Sequence, residues 1–442
     1  RPMTRSALRV LAAVTVVASA SVSLVGCMQL PTPETDVVLT MRIWDDGFVP
    51  AYRASLDEFT TRSGIDVELE VTPWESYGDE LRGQVASETA PDVFWLNNTW
   101  TGTYADAGAL VEIGATLHRG ASSEWDPTVT SQFERDGGLW AVPQFTDAGV
   151  AVFYNAELLA AAGVSPDALD TLTWSHEPEK DTYLATARAL TLDAAGVAAT
   201  DPAFQPDNVQ VWGTSLGYDL QAVLLPFLGS AGARFQDGEQ LAFAEGKGIA
   251  ALDYVVGAIH DAKVAPPAEE TTADPQRARE LFLEGRIAMF QSGIYSLREI
   301  ADRADFEWGI AMLPAGPAGR VSVTNGIGVA GNAHSASPHS VVQLLEWLGS
   351  PEGNIPLGVD GQSVPAVLDA QPAFFEFWKS EGVDVSPFFT VLEGKTIAAP
   401  CGARFWRAQD AYDPLLQAVF AGARPVHEGV ILAQDAANAA LK

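Results

Sequence analysis

The chain has 442 residues, with 26 Lys+Arg against 57 Asp+Glu and a formal net charge of -31. A surface so acidic repels a phosphate backbone, which excludes nucleic acid as a partner. Hydrophobic residues make up 47 % and charged residues 19 %, so the chain buries a large core, and its length calls for two domains. Two cysteines, Cys27 and Cys401, give no disulfide framework. Cys401 is expected as a small buried hydrophobe. The six histidines, at 118, 176, 260, 334, 339 and 427, form no HExxH or other close ligand pair, so neither zinc nor another cofactor is expected.

The first segment reads as an address. Arg1, Arg5 and Arg9 precede an apolar, small-residue stretch of 15 residues, Val10 to Leu24. A membrane span needs ~20 residues, so this stretch fits a secretory leader instead. It ends in Leu24-Val25-Gly26-Cys27, which resembles a bacterial lipobox, with Cys27 as the lipidated residue. Several acyl chains on one residue anchor a protein stably where one chain does not. Residues 1–26 are thus expected as signal peptide and 27–36 (through Pro31 and Pro33) as a polar tether. Removing 1–26 takes away three arginines and no acid. The remainder is expected outside the cytoplasm, held to the membrane through Cys27.

From Val37 onward strands and helices alternate. Val37, Leu39, Met41 and Ile43 have the period of a strand, and Leu56 and Phe59 sit three apart on a helix. Val67, Leu69 and Val71 alternate again, a helix follows through Tyr77 to Ala86, and Val93 to Leu96 is a short apolar run. This order predicts a parallel α/β sheet. A second such pattern starts with a strand at Val150 to Tyr154. Asn155-Ala156-Glu157 then opens a helix that Gly163 closes. Helices are expected at Gly248 to His260 and Val341 to Leu348, and strands through Ile287 to Phe290 and Trp308 to Leu313.

Three successive strands of the first pattern end in polar groups beside indoles. These are Trp44-Asp45-Asp46, Trp74-Glu75 and Asn97-Asn98. Open α/β sheets bind ligands beyond the carboxyl ends of their strands.

The chain resembles the extracellular solute-binding proteins of ABC transporters, family 1, the sugar-binding branch related to maltose-binding protein. The segments that carry the likeness occur in order over about 37 to 440. They include VVLTMRIWD, ASETAPDVFWLNN, YADAGALVEI, DGGLWAVPQFTDAGVAVFYNAELLAAAGV, FLEGRIAMFQSGIYSL, WGIAMLPAGPAGR, NGIGVA and EWLGSPEGN. The resemblance implies an α/β two-lobe periplasmic-binding-protein fold of type II-like topology. Three interlobe crossings are expected, near Asp147–Gly149, Phe306–Gly309 and Gly349–Glu352. Lobe 1 would then be 37–148 plus 309–350, and lobe 2 149–308 plus 351–442. It also implies a monomer that captures a mono- or oligosaccharide in the interlobe cleft and delivers it to ABC permease subunits.

A sugar presents hydroxyls around its edge and flat C–H faces, so its site needs planar donors and acceptors plus aromatic covers. Trp44 and Asp45 fit that need, against the plainer reading of a core indole and a helix-capping Asp. Asn97 and Asn98 are hydroxyl ligands or turn and cap residues. Asp147 stands at the first crossing, as ligand or as hinge hydrogen bonder. Tyr295, in QSGIY, replaces the stacking Trp that the resemblance leads one to expect. Tyr218, Asn325 and Trp406 complete the expected set, while Trp74 and Trp140 read equally as packing. The acidic balance disfavours anionic ligands and leaves cationic solutes such as polyamines as an alternative. Whether Ca²⁺ supports a loop is left open.

Two enzyme readings compete weakly. Gly213-Thr214-Ser215-Leu216-Gly217 matches the G-x-S-x-G elbow of serine hydrolases, but no HGGG-type segment precedes it. A glycosidase needs two carboxylates placed across a scissile bond, and abundance of acids is no evidence for such a pair.

Overall fold

The computed structural model describes residues 37–118, 120–271 and 276–442. The leader, Cys27 and the tether lie outside the described residues. The described residues all belong to one unit, Val37–Lys442.

In chain order the first elements are β1 (Val38–Ile43), α1 (Val49–Ser63), β2 (Asp66–Val71), α2 (Trp74–Ala86), β3 (Val93–Asn97), α3 (Asn98–Asp106) and β4 (Val142–Asp147). Next come β5 (Ala151–Asn155), α4 (Ala156–Ala161), β6 (Leu192–Asp193), β7 (Val209–Thr214) and α5 (Leu225–Ala231). A π-helical turn, Leu220–Leu224, leads into α5. After these stand α6 (Gly246–His260), α7 (Arg277–Leu283), β8 (Ile287–Ser292), α8 (Leu297–Arg303) and β9 (Trp308–Ala311). The last are β10 (Val321–Ser322), β11 (Asn325–Gly331), α9 (Pro338–Leu348), α10 (Pro351–Gly358), β12 (Val364–Pro365), α11 (Gln371–Ser380), β13 (Lys395–Thr396), α12 (Phe405–Phe420) and α13 (Val426–Ala440).

The alternation in β1 has the expected consequence: Leu39, Met41 and Ile43 are fully buried. β3 is buried on both faces, which is why it reads as a continuous apolar run. Asn155 caps α4, its Oδ1 accepting from the N–H groups of Glu157 and Leu158 at 3.0 Å each. The chain leaves that helical segment through Gly163 at φ 68°.

The strands form two main sheets. The first has the order β12-β4-β11-β3-β1-β2 and the second β9-β5-β8-β7-β6. Neither is parallel throughout, which corrects the sequence expectation. β1 pairs parallel with β2 and β3, but β11 runs antiparallel to both β3 and β4. In the second sheet only the β7–β8 pair is parallel. A strand that enters a sheet from the other lobe arrives without a helical crossover, so its direction is not constrained to be parallel.

The chain changes sheets between β4 and β5, that is between Asp147 and Ala151. The second and third changes fall later than expected. β9 still belongs to the second sheet, where Trp308 pairs with Asn155, so the return lies between Ala311 and Asn325 rather than at Phe306–Gly309. α10 and β12 remain with the first sheet, so the third change comes after Pro365 rather than at Gly349–Glu352. Ser55 on α1 explains part of this, because its hydroxyl donates to the Gly353 carbonyl at 2.7 Å and ties α10 to lobe 1.

Each sheet has its own core. Trp95, Tyr52, Phe145 and Val329 centre the first. Leu228, Val255, Tyr412 and Leu416 centre the second on one face of its sheet, while Phe153, Phe282, Trp378 and Phe388 fill the other face. A buried chain of hydrogen bonds fixes lobe 1 beneath its strand ends. Trp95 Nε1 donates to Tyr52 at 2.8 Å, Tyr52 donates to Gln144 Oε1 at 3.0 Å, and Gln144 Nε2 donates to the Leu348 carbonyl at 2.7 Å.

No helix among the described residues is long and apolar enough to cross a membrane.

Candidate functional site

Where the two lobes meet, β4 and β11 bring Asp147 and Asn325 together as directly opposed residues of one antiparallel ladder. Asn325 Nδ2 donates to Gln221 Oε1 at 2.8 Å. Gln221 belongs to the π-helical turn of lobe 2, so this hydrogen bond joins the lobes. Asn325 Oδ1 is buried with no protein partner, and Gln221 Nε2 is buried beside the Asp147 carboxyl without a hydrogen bond of full geometry. An unpartnered buried acceptor next to an incompletely satisfied buried donor is costly unless something else satisfies both.

Carboxylates crowd the same place. Burial pushes the Asp147 carboxyl up to about 6, opposed by the Gln221 amide. Burial also raises Asp219, whose Oδ1 accepts from the Ala222 N–H at 2.6 Å and so caps the π-helical turn. Tyr295 is within electrostatic range of both Asp219 and Asp147, and its side chain is 38 % exposed. Gly293 makes room for it, since a Cβ there would fall 2.2 Å from Tyr295 Cε1.

Lobe 1 supplies an aromatic wall. Trp44 lies edge-on to Trp74, Tyr77, Trp95 and Trp100 at centroid distances of 4.6 to 6.2 Å. Trp74 is 42 % exposed and stacks on Trp100 at 5.4 Å and 18°. The exposed ring, rather than Trp44, is therefore the one with a free face. Trp140 is a packing residue, its Nε1 donating to the Arg135 carbonyl at 3.1 Å.

Asp45 does cap a short 3-10 turn, accepting from the Gly47 N–H at 2.9 Å. Its carboxyl is raised chiefly by burial, and it senses Arg279 and Glu299 of lobe 2. Arg279 pairs with Glu299 at 2.6 Å and keeps a buried Nε with no partner. Asn97 caps α3, accepting from the Thr99 N–H at 3.0 Å and the Thr99 hydroxyl at 2.8 Å. Asn98, at the start of that helix, retains a buried Oδ1 with no partner. The Tyr218 hydroxyl donates to Asp413, whose carboxyl burial pushes up to about 6, and the Tyr218 ring lies edge-on to Phe420. Trp406 faces Arg82 and Arg407.

The expected residues thus separate. Asp147, Asn325 and Tyr295 gather at one place, and Trp44 and Asp45 stand on lobe 1 opposite Arg279. Asn97 Oδ1 and the Tyr218 hydroxyl are engaged by the protein. Sequence reading missed Gln221 and Arg279. Only a partner in three dimensions marks them, because neither sits in a motif.

Ser215 is not set up as a nucleophile. It is 4 % exposed and its hydroxyl accepts from the Gln291 N–H at 2.9 Å. Gly213 is required by packing, since a Cβ there would fall 2.0 Å from the Ala187 carbonyl oxygen. Of the proposed histidine partners, His334 lies by Glu88 and His339 by Gln343. Among the described residues no group of three His, Cys, Asp or Glu stands ready for a metal ion. Cys401 is exposed, correcting the buried expectation. Its backbone N–H and carbonyl are both held by the Gln236 amide, at 2.9 and 2.7 Å, which leaves the thiol outside the core.

Two α/β lobes that meet at a polar junction define a two-lobe periplasmic-binding-protein fold. The chain matches the bacterial extracellular solute-binding protein family over residues 46–355, and it belongs to that family, whose members work outside the cytoplasm. It is 47 % identical to UspC of M. tuberculosis, with a TM-score of 0.74, covering 91 % of this chain and 100 % of UspC. A probable ABC transporter-binding protein of Deinococcus radiodurans is 25 % identical over 386 residues, 82 % of this chain and 84 % of that protein. The diacetylchitobiose binding protein DasA of Streptomyces coelicolor is 28 % identical over 127 residues. That match spans 28 % of this chain and 29 % of DasA.

Proposed function

We propose that the protein is a non-catalytic, lipid-anchored receptor that captures a neutral mono- or oligosaccharide between its lobes and delivers it to an ABC permease. The observation that carries this reading is the set of incompletely satisfied polar atoms at the lobe junction, Asn325 Oδ1 and Gln221 Nε2 beside Asp147. A hydroxyl both donates and accepts, so a single sugar edge satisfies the donor, the acceptor and the carboxylate together. Trp74 offers an exposed face for a pyranose ring. Trp44, Asp45, Asn98, Tyr295 and Arg279 are the further ligand residues in this reading. The diacetylchitobiose named for DasA supports an oligosaccharide. The anchor at Cys27 and the permease partner belong to the same proposal.

A cationic solute such as a polyamine is the second reading, favoured by the grouping of Asp147 and Asp219 around Tyr295. A thermal-shift screen across neutral sugars and polyamines separates the two, because a ligand that binds only the folded state raises its melting temperature. A sugar hit recovered unchanged after incubation supports the receptor reading. A cleaved product overturns its non-catalytic part.

A further inference from the structure

A second contact joins the lobes through other residues. Arg82 is on α2, whose Tyr77 and Leu81 belong to the lobe 1 core. Trp406 and Asp410 are on α12, whose Phe405, Ala408 and Tyr412 belong to the lobe 2 core. The Arg82 guanidinium carbon stands 4.7 Å from the centroid of the Trp406 ring, and its Nη1 donates to Asp410 Oδ2 at 3.3 Å. Asp79, on the same helix as Arg82, holds Nη2. The guanidinium is thereby fixed from its own lobe while it faces the other.

Beside this contact the backbones of the two lobes come close. A Cβ at Gly102, on α3, would lie 3.1 Å from both the Gly402 carbonyl carbon and the Ala403 nitrogen. The absence of a side chain there is what permits the approach. Arg407 also faces the Trp406 ring, at 5.2 Å. A ring flanked by two guanidinium groups has little free face to offer a sugar.

We propose that this seam is a latch that holds the lobes together, with Arg82 as the bolt and Trp406 and Asp410 as its seat. The inference rests on the contact geometry and stands apart from the nature of the solute. A contact made in one lobe arrangement and lost in another shifts the population toward the first. A partly exposed cation–π contact with an ion pair is expected to shift the ratio of arrangements by on the order of fivefold.

Small-angle X-ray scattering of the full chain without added solute tests this directly. Arg82→Ala removes the bolt, and Gly102→Leu wedges the seam while leaving Arg82 in place. Both are expected to increase the radius of gyration and maximum dimension, with circular dichroism unchanged, and Arg82→Lys is expected to restore part of the wild-type profile. If the first variant does not fold, the second answers alone. Scattering profiles that superimpose on wild type, or a smaller radius of gyration, overturn the latch. Failure of every sugar to bind would overturn the receptor reading and leave this result standing.

Discussion

Asn325 of lobe 1 donates a hydrogen bond to Gln221 of lobe 2 at 2.8 Å, although the two are 104 residues apart. Asn325 keeps its Oδ1 buried without a protein partner, and Gln221 keeps its Nε2 buried beside the Asp147 carboxyl without a hydrogen bond of full geometry. The pair therefore does two things: it joins the lobes, and it presents a donor and an acceptor to whatever enters between them. Gln221→Leu removes both functions at one position. It is expected to weaken binding of the cognate sugar by 10-fold or more, about 1.4 kcal/mol, because Asn325 then loses its partner. Isothermal titration calorimetry on the purified protein checks this.

Asp147 links the site to pH. Its carboxyl stands at about 6 in the fold, above the ordinary 3.8, because it is buried. The folded state therefore keeps a proton that the unfolded chain loses, and stability falls as pH rises from about 4 to about 6. A shift of about two units corresponds to about 3 kcal/mol at neutral pH. Asp147→Asn is expected to raise the melting temperature at pH 7 and to flatten that part of the pH profile. Asp413 shifts in the same direction and leaves a smaller residual slope. Differential scanning calorimetry from pH 4 to 8 makes the comparison.

Stability and binding should part company in the aromatic wall. Trp95 is fully buried, and its truncation to Ala is expected to cost about 3 to 5 kcal/mol. Trp74 is 42 % exposed, so Trp74→Ala should lower the melting temperature less than Trp95→Ala does while lowering sugar affinity. Urea unfolding and a binding titration on the same two variants distinguish the roles.

The hydrolase-like pentapeptide has a packing explanation that is open to test. Gly213→Ala would place Cβ 2.0 Å from the Ala187 carbonyl oxygen and is expected to destabilise by about 3 kcal/mol. Ser215 should remain unlabelled by a fluorophosphonate probe, since its hydroxyl is buried against the Gln291 N–H.

Local features were the legible ones. The period of Leu39, Met41 and Ile43 and the cap at Asn155 arise from side-chain periodicity and short-range hydrogen bonding. The lobe crossings were less legible. Trp308–Ala311 looks the same whether it pairs with Ala151–Asn155 or with a strand of the other sheet, because periodicity records burial and not partner. The same limit explains the site. Asp147 stood out because the resemblance puts it at the first crossing, whereas Gln221 and Arg279 acquire meaning only from Asn325 and Glu299 beside them. Trp406 was among the expected ligand residues, but its neighbour Arg82 comes from the opposite lobe.

The most direct test of sugar capture at the lobe junction is calorimetric titration of the sugar that gives the largest thermal shift, into wild-type protein and Asp147→Ala. The expected result is one saturable site, recovery of the sugar unchanged, and at least a 10-fold loss of affinity in the variant. Equal affinity in both proteins, or binding of polyamines with no binding of any neutral sugar, would contradict it.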